Sequence, residues 1–328
     1  MKYRISHPVA LEKKQRQDGW AKDLGLFEKY QDSRINYCQT IKLAQRSERM
    51  YPRYDPLPVF GGSKTPAGLY ARQKWLGEED SDDWRRDFSE TVRQLRAGQS
   101  EDGSWDHSEI ATIRRLFGLH LTVREGDIFV RRALEWLLSR EKLWTFLWLP
   151  RRTPDDVDED SSDVIDGTAL RGLPFVNGCF GHLAVSAGLF LGNCFGLGES
   201  SMAKKLYETI GGEIESRGGR WCSIGCTSNA LRAFVTNNRY SRSRATAMMV
   251  DYLGRRQCAS GKWKGNTPFY LTLNALAHLD EERARNQCTE AMNVALRLQN
   301  KDGSWGRTEK EWNTFLVVHA LNRLNARR

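Results

Sequence analysis

The sequence predicts an all-α chain built by stacking one repeated helix pair. A seven-residue phrase occurs twice in close copies, Gln99-Ser-Glu-Asp-Gly103-Ser-Trp105 and Gln299-Asn-Lys-Asp-Gly303-Ser-Trp305. Two looser copies stand between them, Gln257-Cys-Ala-Ser-Gly261-Lys-Trp263 and Glu215-Ser-Arg-Gly-Gly219-Arg-Trp221. Trp221, Trp263 and Trp305 are each 42 residues apart, as are Gly219, Gly261 and Gly303. A fixed period of this size means one supersecondary unit repeated in a stack. Strand signals are sparse and helical periodicity is widespread, so the unit is a helix pair.

Aligning the chain on these phrases gives two alternating sets of helices. One set follows the joints and is apolar with small residues at its packing points, as in Ala230-Leu-Arg-Ala233, and suits an inner layer. It is expected near residues 66–77, 108–120, 178–192, 224–236, 267–279 and 310–325. The other set precedes the joints and carries the charged face of an exposed amphipath, as in Asp280-Glu-Glu-Arg-Ala-Arg. It is expected near 82–98, 127–141, 199–216, 243–257 and 281–299, and a stretch within 20–47 can supply a sixth member. Six plus six closes a barrel. At each joint the Gln is expected to bond backbone groups of the turn, Gly to supply a positive φ, and Trp to pack across.

Composition narrows the setting. The chain has 328 residues, 40% of them apolar, with eleven Trp, enough for a large core. Mean hydropathy is −0.61 and no apolar run approaches 20 residues, which argues against a membrane span. Met1-Lys-Tyr-Arg-Ile-Ser-His-Pro has no signal-peptide apolar region, and seven Cys favour reduced thiols and a cytoplasmic location. Net charge is +9, and residues 1–54 hold twelve Lys/Arg against six Asp/Glu. That basic segment reads as a solvated face, as a peripheral contact with an anionic membrane surface, or as an attraction for a diphosphate-bearing substrate. Nucleic acid is not expected, because no nucleic-acid module accompanies the charge.

The Q-x-x-D-G-S-W-G phrase followed by an apolar helix resembles the QW motif of squalene–hopene cyclases and related class II terpene cyclases. Protein prenyltransferase β-subunits belong to the same wider superfamily. The resemblance covers roughly residues 60–328 and implies an (α/α)6 toroid of inner and outer helices. Residues 1–60 would form an N-terminal helical extension, and a long acidic loop would cover about 142–177. It also implies a terpene-cyclase-like isomerase or lyase acting on a prenyl or polyprenyl substrate, by acid-initiated carbocation cyclisation in a central cavity. In that family the middle Asp of D-x-D-D donates the proton. Asp156-Val-Asp158-Glu159 and Val164-Ile-Asp166-Gly-Thr168-Ala169-Leu170 match parts of that pattern, which makes Asp158 or Asp166 the proton donor. None of the expected inner helices begins with D-x-D-D.

Aromatic residues near the inner-helix starts, Phe180, Phe269, Tyr270, Trp312 and Phe315, are candidate cavity walls that would stabilise a cation, with plain core packing as the alternative. Partial motifs for two metals are present. Asp155-Asp156-Val-Asp-Glu159 resembles a D-D-x-x-E Mg²⁺–diphosphate motif, but Pro150 and Pro154 precede it closely. For zinc, Cys226 falls where the prenyltransferase Cys ligand would be, but Ile224 and Asn313 replace the other two ligands. A different zinc set is available. Cys179-x-x-His182 opens one inner helix and Cys222-x-x-x-Cys226 brackets the start of the next, so adjacent helices can bring four soft ligands together. The readings left open are the cyclase, a non-catalytic toroid binding a lipid-like or protein partner, and a zinc-dependent toroid enzyme.

Overall fold

The computed structural model describes residues 49–139 and 167–326. Among them are eleven α-helices, three short 3-10 turns and no strand. In chain order the helices are α1 (Pro66–Lys74), α2 (Asp82–Arg96), α3 (Glu109–Leu121), α4 (Ile128–Ser139), α5 (Phe180–Cys194) and α6 (Ser201–Ser216). They continue as α7 (Ile224–Val235), α8 (Arg244–Arg256), α9 (Phe269–Leu276), α10 (Glu282–Arg297) and α11 (Lys310–Ala326). Most starts are set by a short hydroxyl side chain. Thr65, Ser81, Ser108, Ser200, Ser223 and Ser243 each accept a hydrogen bond from the backbone N–H three residues on. Such a cap satisfies one of the four orphan donors of a helix start, worth about 1 kcal/mol.

Packing follows the alternation read from the sequence. Within the unit Tyr51–Leu324, the odd-numbered helices touch in series, α1 on α3, α3 on α5, α5 on α7 and α7 on α9. The even-numbered helices lie against them, and α6, α8 and α10 also touch in series. α11 reaches α9 through Asn274, whose amide donates to the Leu316 carbonyl at 2.9 Å. It reaches α1 and the residue after it through Phe315, whose ring lies 5.4 Å from Tyr70 and 5.3 Å from Trp75. The difference between the sets is one of burial. In α7 ten of twelve residues are buried, whereas α2 buries only Trp84, Asp87, Val92 and Leu95.

The joints explain the repeat. Gln99 Nε2 donates to the carbonyls of Gly103 and Phe129 at 2.9 and 2.8 Å. Gln257 does the same to Gly261 and Gln287, and Gln299 to Gly303 and Tyr54. Each Gln thus closes its own turn and fastens it to another segment. Gly103, Gly219, Gly261 and Gly303 all have φ between 83° and 94°. A Cβ at Gly103 or Gly261 would stand 2.5 or 2.6 Å from the carbonyl oxygen of Arg132 or Glu290. Only glycine meets both the positive φ and that close approach. Trp105, Trp221 and Trp305 are almost fully buried. Their backbone N–H groups donate to Thr112, Thr227 and Thr314 Oγ1 in the following helix.

Candidate metal centre

α5 and α7 run in the same direction. At their far ends the Asn193 amide, with Asn237 and the Ala233 carbonyl, joins them through hydrogen bonds of 3.0 and 3.4 Å. Their starts therefore meet. There Cys179, His182, Cys222 and Cys226 place one ligand atom each within 4.8 Å of one another. The first two come from the lead-in and first turn of α5. Cys222 follows the joint tryptophan Trp221, and Cys226 lies in the first turn of α7.

Local contacts hold this arrangement. Asn229, one turn beyond Cys226, bonds both backbone groups of Val176, accepting from its N–H and donating to its carbonyl, each at 2.9 Å. This two-bond clamp pins the segment before α5 against α7. The Cys179 N–H then donates to Cys226 Sγ at 3.4 Å. Gly178 passes close beneath that sulfur, where an added Cβ would be 3.1 Å from it. The His182 ring stacks on the Trp221 indole, centroids 3.8 Å apart and 22° from parallel, which fixes its plane. The Cys222 carbonyl accepts from Arg220 Nε at 3.0 Å.

The donor set fits a soft or borderline metal. Cys179 and Cys222 sulfurs are 3.4 Å apart, too far for a disulfide at about 2.05 Å. A tetrahedral site with Zn–S bonds of about 2.3 Å has sulfur–sulfur edges of about 3.8 Å, within the spread seen here. His182 Nδ1 is buried and has no hydrogen-bond partner. Electrostatics among the four agree with crowded sulfur and nitrogen donors. Hydrogen bonds from Cys179 and Cys222 hold the Cys226 thiol well below its usual value, while the Cys222 contact pushes Cys179 up. Burial would lower His182, but the sulfurs of Cys222 and Cys226 outweigh it and raise it to about 9. Cys226 is buried and the other three are half-buried.

The other expected site residues fall in different places. Asp158, Asp166 and the side chain of Phe180 lie outside the described residues. Phe269 and Tyr270 open α9, half-buried, with ring centroids 5.2 Å apart and Phe269 5.8 Å from Trp263. Trp312 and Phe315 are brought together, stacked at 5.4 Å and 11°, and both are buried. They sit in a cluster of rings. Trp312 meets Phe117 edge-on at 5.7 Å, Phe117 lies 6.3 Å from Phe190, and Phe190 meets Phe175 at 5.6 Å. Sequence reasoning missed two supports of the candidate metal centre. Trp221 is more than a joint, since it carries His182, and Asn229 holds Cys179 in reach of Cys226. A polar residue one helical turn beyond a candidate ligand, on a helix expected to be buried, was the available signal for Asn229.

No protein-family model and no curated protein matches this chain. Among solved structures it is similar to the crystal structure of a protein from Actinoplanes, with a TM-score of 0.51 at 16% identity. That match covers 92% of this chain and 99% of the other. Likeness at this identity concerns the arrangement of helices and carries no activity across.

Proposed function

We propose that this protein is a zinc-binding α/α toroid, with the metal held by Cys179, His182, Cys222 and Cys226. The observation that carries the reading is the convergence of four soft donor atoms within 4.8 Å at the starts of two neighbouring helices. Three thiolates and an imidazole favour zinc over Mg²⁺, which takes oxygen ligands. Ring closure is supported by the series of odd-numbered helices and by α11, which touches α9 on one side and Tyr70 of α1 on the other. Four protein ligands fill a tetrahedron and leave no open position, the pattern of a structural rather than a catalytic zinc. The centre then fastens α5 to α7, and the toroid serves as a rigid binding scaffold.

The test is elemental analysis of the purified chain together with cobalt substitution. One zinc per chain is expected, lost in Cys226→Ser. The cobalt form should show thiolate charge-transfer absorption and the intense visible bands of a tetrahedral ion. Absence of zinc after purification in zinc-supplemented medium, or octahedral cobalt spectra, would overturn the reading. At a free zinc concentration a thousand times Kd, binding stabilises the fold by about 4 kcal/mol. Chelation should therefore lower the thermal midpoint of the wild type and leave Cys226→Ser unmoved.

A second reading is a terpene-cyclase-like enzyme acting on a prenyl or polyprenyl substrate. One observation favours it: Trp312, Phe315, Phe117, Phe190 and Phe175 gather their rings in one place, the kind of surface that steadies a carbocation. In that reading Asp158 or Asp166 donates the proton, and Asp158→Asn or Asp166→Asn abolishes turnover of a polyprenyl substrate. Full activity in both variants would end it. No described helix is long and apolar enough to cross a membrane.

A further inference from the structure

The four donors at the starts of α5 and α7 are not held alike. His182 and Cys226 belong to the first turns of the two helices. Cys226 is locked there. Its N–H donates to the capping Ser223 Oγ at 3.1 Å, its side chain is fully buried, and its sulfur accepts from the Cys179 N–H. Cys179 and Cys222 instead stand in the lead-ins, before either helix has begun. Cys179 occupies the N-cap position of α5, where its side chain makes no capping bond. Cys222 lies one residue ahead of the Ser223 cap of α7. Both are half-buried, with exposed Asn177 near the first and exposed Arg220 near the second.

The Cys179 and Cys222 sulfurs lie 3.4 Å apart across the two lead-ins. Closing them to the 2.05 Å of a disulfide takes about 1.4 Å, which side-chain torsions at two positions outside the helical ladders can supply. The bond would join residues 43 apart and enclose the whole of α5 and α6. Resting on the zinc reading above, we propose that the centre is redox-sensitive: a peroxide joins Cys179 to Cys222 and releases the metal. The starts of α5 and α7 are then fastened by zinc in the reduced chain and by a disulfide in the oxidised one.

The step balances with hydrogen peroxide as the co-reactant. One thiolate attacks a peroxide oxygen, the O–O bond breaks, and a sulfenic acid and hydroxide form. The second thiolate attacks that sulfur, the S–O bond breaks and hydroxide leaves again. Each sulfur has lost one electron, the peroxide has gained two, and two protons from solvent turn the hydroxides into water. Zinc keeps only His182 and Cys226, fewer protein ligands than structural or catalytic zinc sites use, and leaves as the hydrated ion. The plain alternative is that three crowded thiols oxidise without order. Burial and placement favour one product. Cys226 is enclosed, and pairing it would draw its sulfur from the Cys179 N–H, whereas Cys179 and Cys222 are the accessible pair.

The test uses the full chain, zinc-loaded, treated with equimolar hydrogen peroxide. Release of the zinc and loss of two thiols per disulfide are expected. After denaturation, a non-reducing tryptic map should show peptides 172–204 and 221–232 joined, with fragmentation placing the bond between Cys179 and Cys222. Dithiothreitol and added zinc should restore the starting state. The oxidised, metal-free chain should melt above the reduced, chelated chain, because its loop is closed covalently. Linkage through Cys226 or Cys194, sulfinic acid in place of a disulfide, or zinc retained under peroxide would overturn the proposal and leave the zinc reading standing. A reduced chain that binds no zinc overturns both, and elemental analysis shows that before any peroxide is added.

Discussion

Thr112, Thr227 and Thr314 do the same work at three joints, each accepting the backbone N–H of the buried tryptophan before its helix. Thr314 is fully buried, so Thr314→Val keeps the shape and leaves the Trp305 N–H without a partner. The expected cost is about 1–3 kcal/mol, read from urea denaturation. Gly303→Ala should destabilise too, since its φ is 83° and the Cβ would press on the Asp55 carbonyl oxygen. The joint carboxylates add a pH dependence. Asp102 is held at about 2, first by the hydroxyl of Ser104, and Asp302 is held lower still, first by Lys310. Both folded values lie below the ordinary carboxylate range, so their stabilisation is present above about pH 4 and disappears as pH falls through those folded values. A double Asp102→Asn, Asp302→Asn variant should therefore show a flatter fall in thermal midpoint on acidification. A fall as steep as the wild type's would remove these carboxylates from the account.

Among elements, the α5–α7 pair shows best what the sequence made legible. Cys179-x-x-His182 and Cys222-x-x-x-Cys226 could be placed at the starts of neighbouring inner helices because the 42-residue period fixes where each helix begins. Spacing could not supply the clamp that aligns them, because Asn229 bonds Val176, 53 residues away, through backbone groups with no sequence signature. Asn229→Ala retains all four ligands and should still lower zinc affinity by about ten- to a hundredfold. Chelator competition measures it, and an unchanged affinity would show that the ligands hold their own geometry. α9 departs from expectation in length, starting after Pro268 and covering Phe269–Leu276 rather than 267–279. The proline sets the start, and the Ala277 and His278 N–H groups bond back only four and three residues as the helix closes.

For the molecule as a whole, periodicity carried the alternation of helices, because the joints repeat Gly and Trp at a fixed spacing and three of the four also repeat Gln. The contacts of the aromatic cluster were illegible for the opposite reason: α3, α5 and α11 each give one or two of its rings, and no spacing relates Phe117 to Phe190 or Trp312. One joint breaks the pattern. Where the others have Gln, this one has Glu215, whose carboxylate pairs with Arg244 at 3.8 Å, and the Trp221 indole turns to Glu213. The same joint carries Cys222 and supports His182. If the metal replaces the missing Gln clamp, its removal leaves a hinge there, with Arg217 and Arg220 both exposed. Trypsin should then nick the chelated protein first after Arg217 or Arg220, while the zinc-loaded chain resists. Mass spectrometry of the first fragments would read out where this chain comes apart, and a first cut elsewhere would place its weakest seam at another joint.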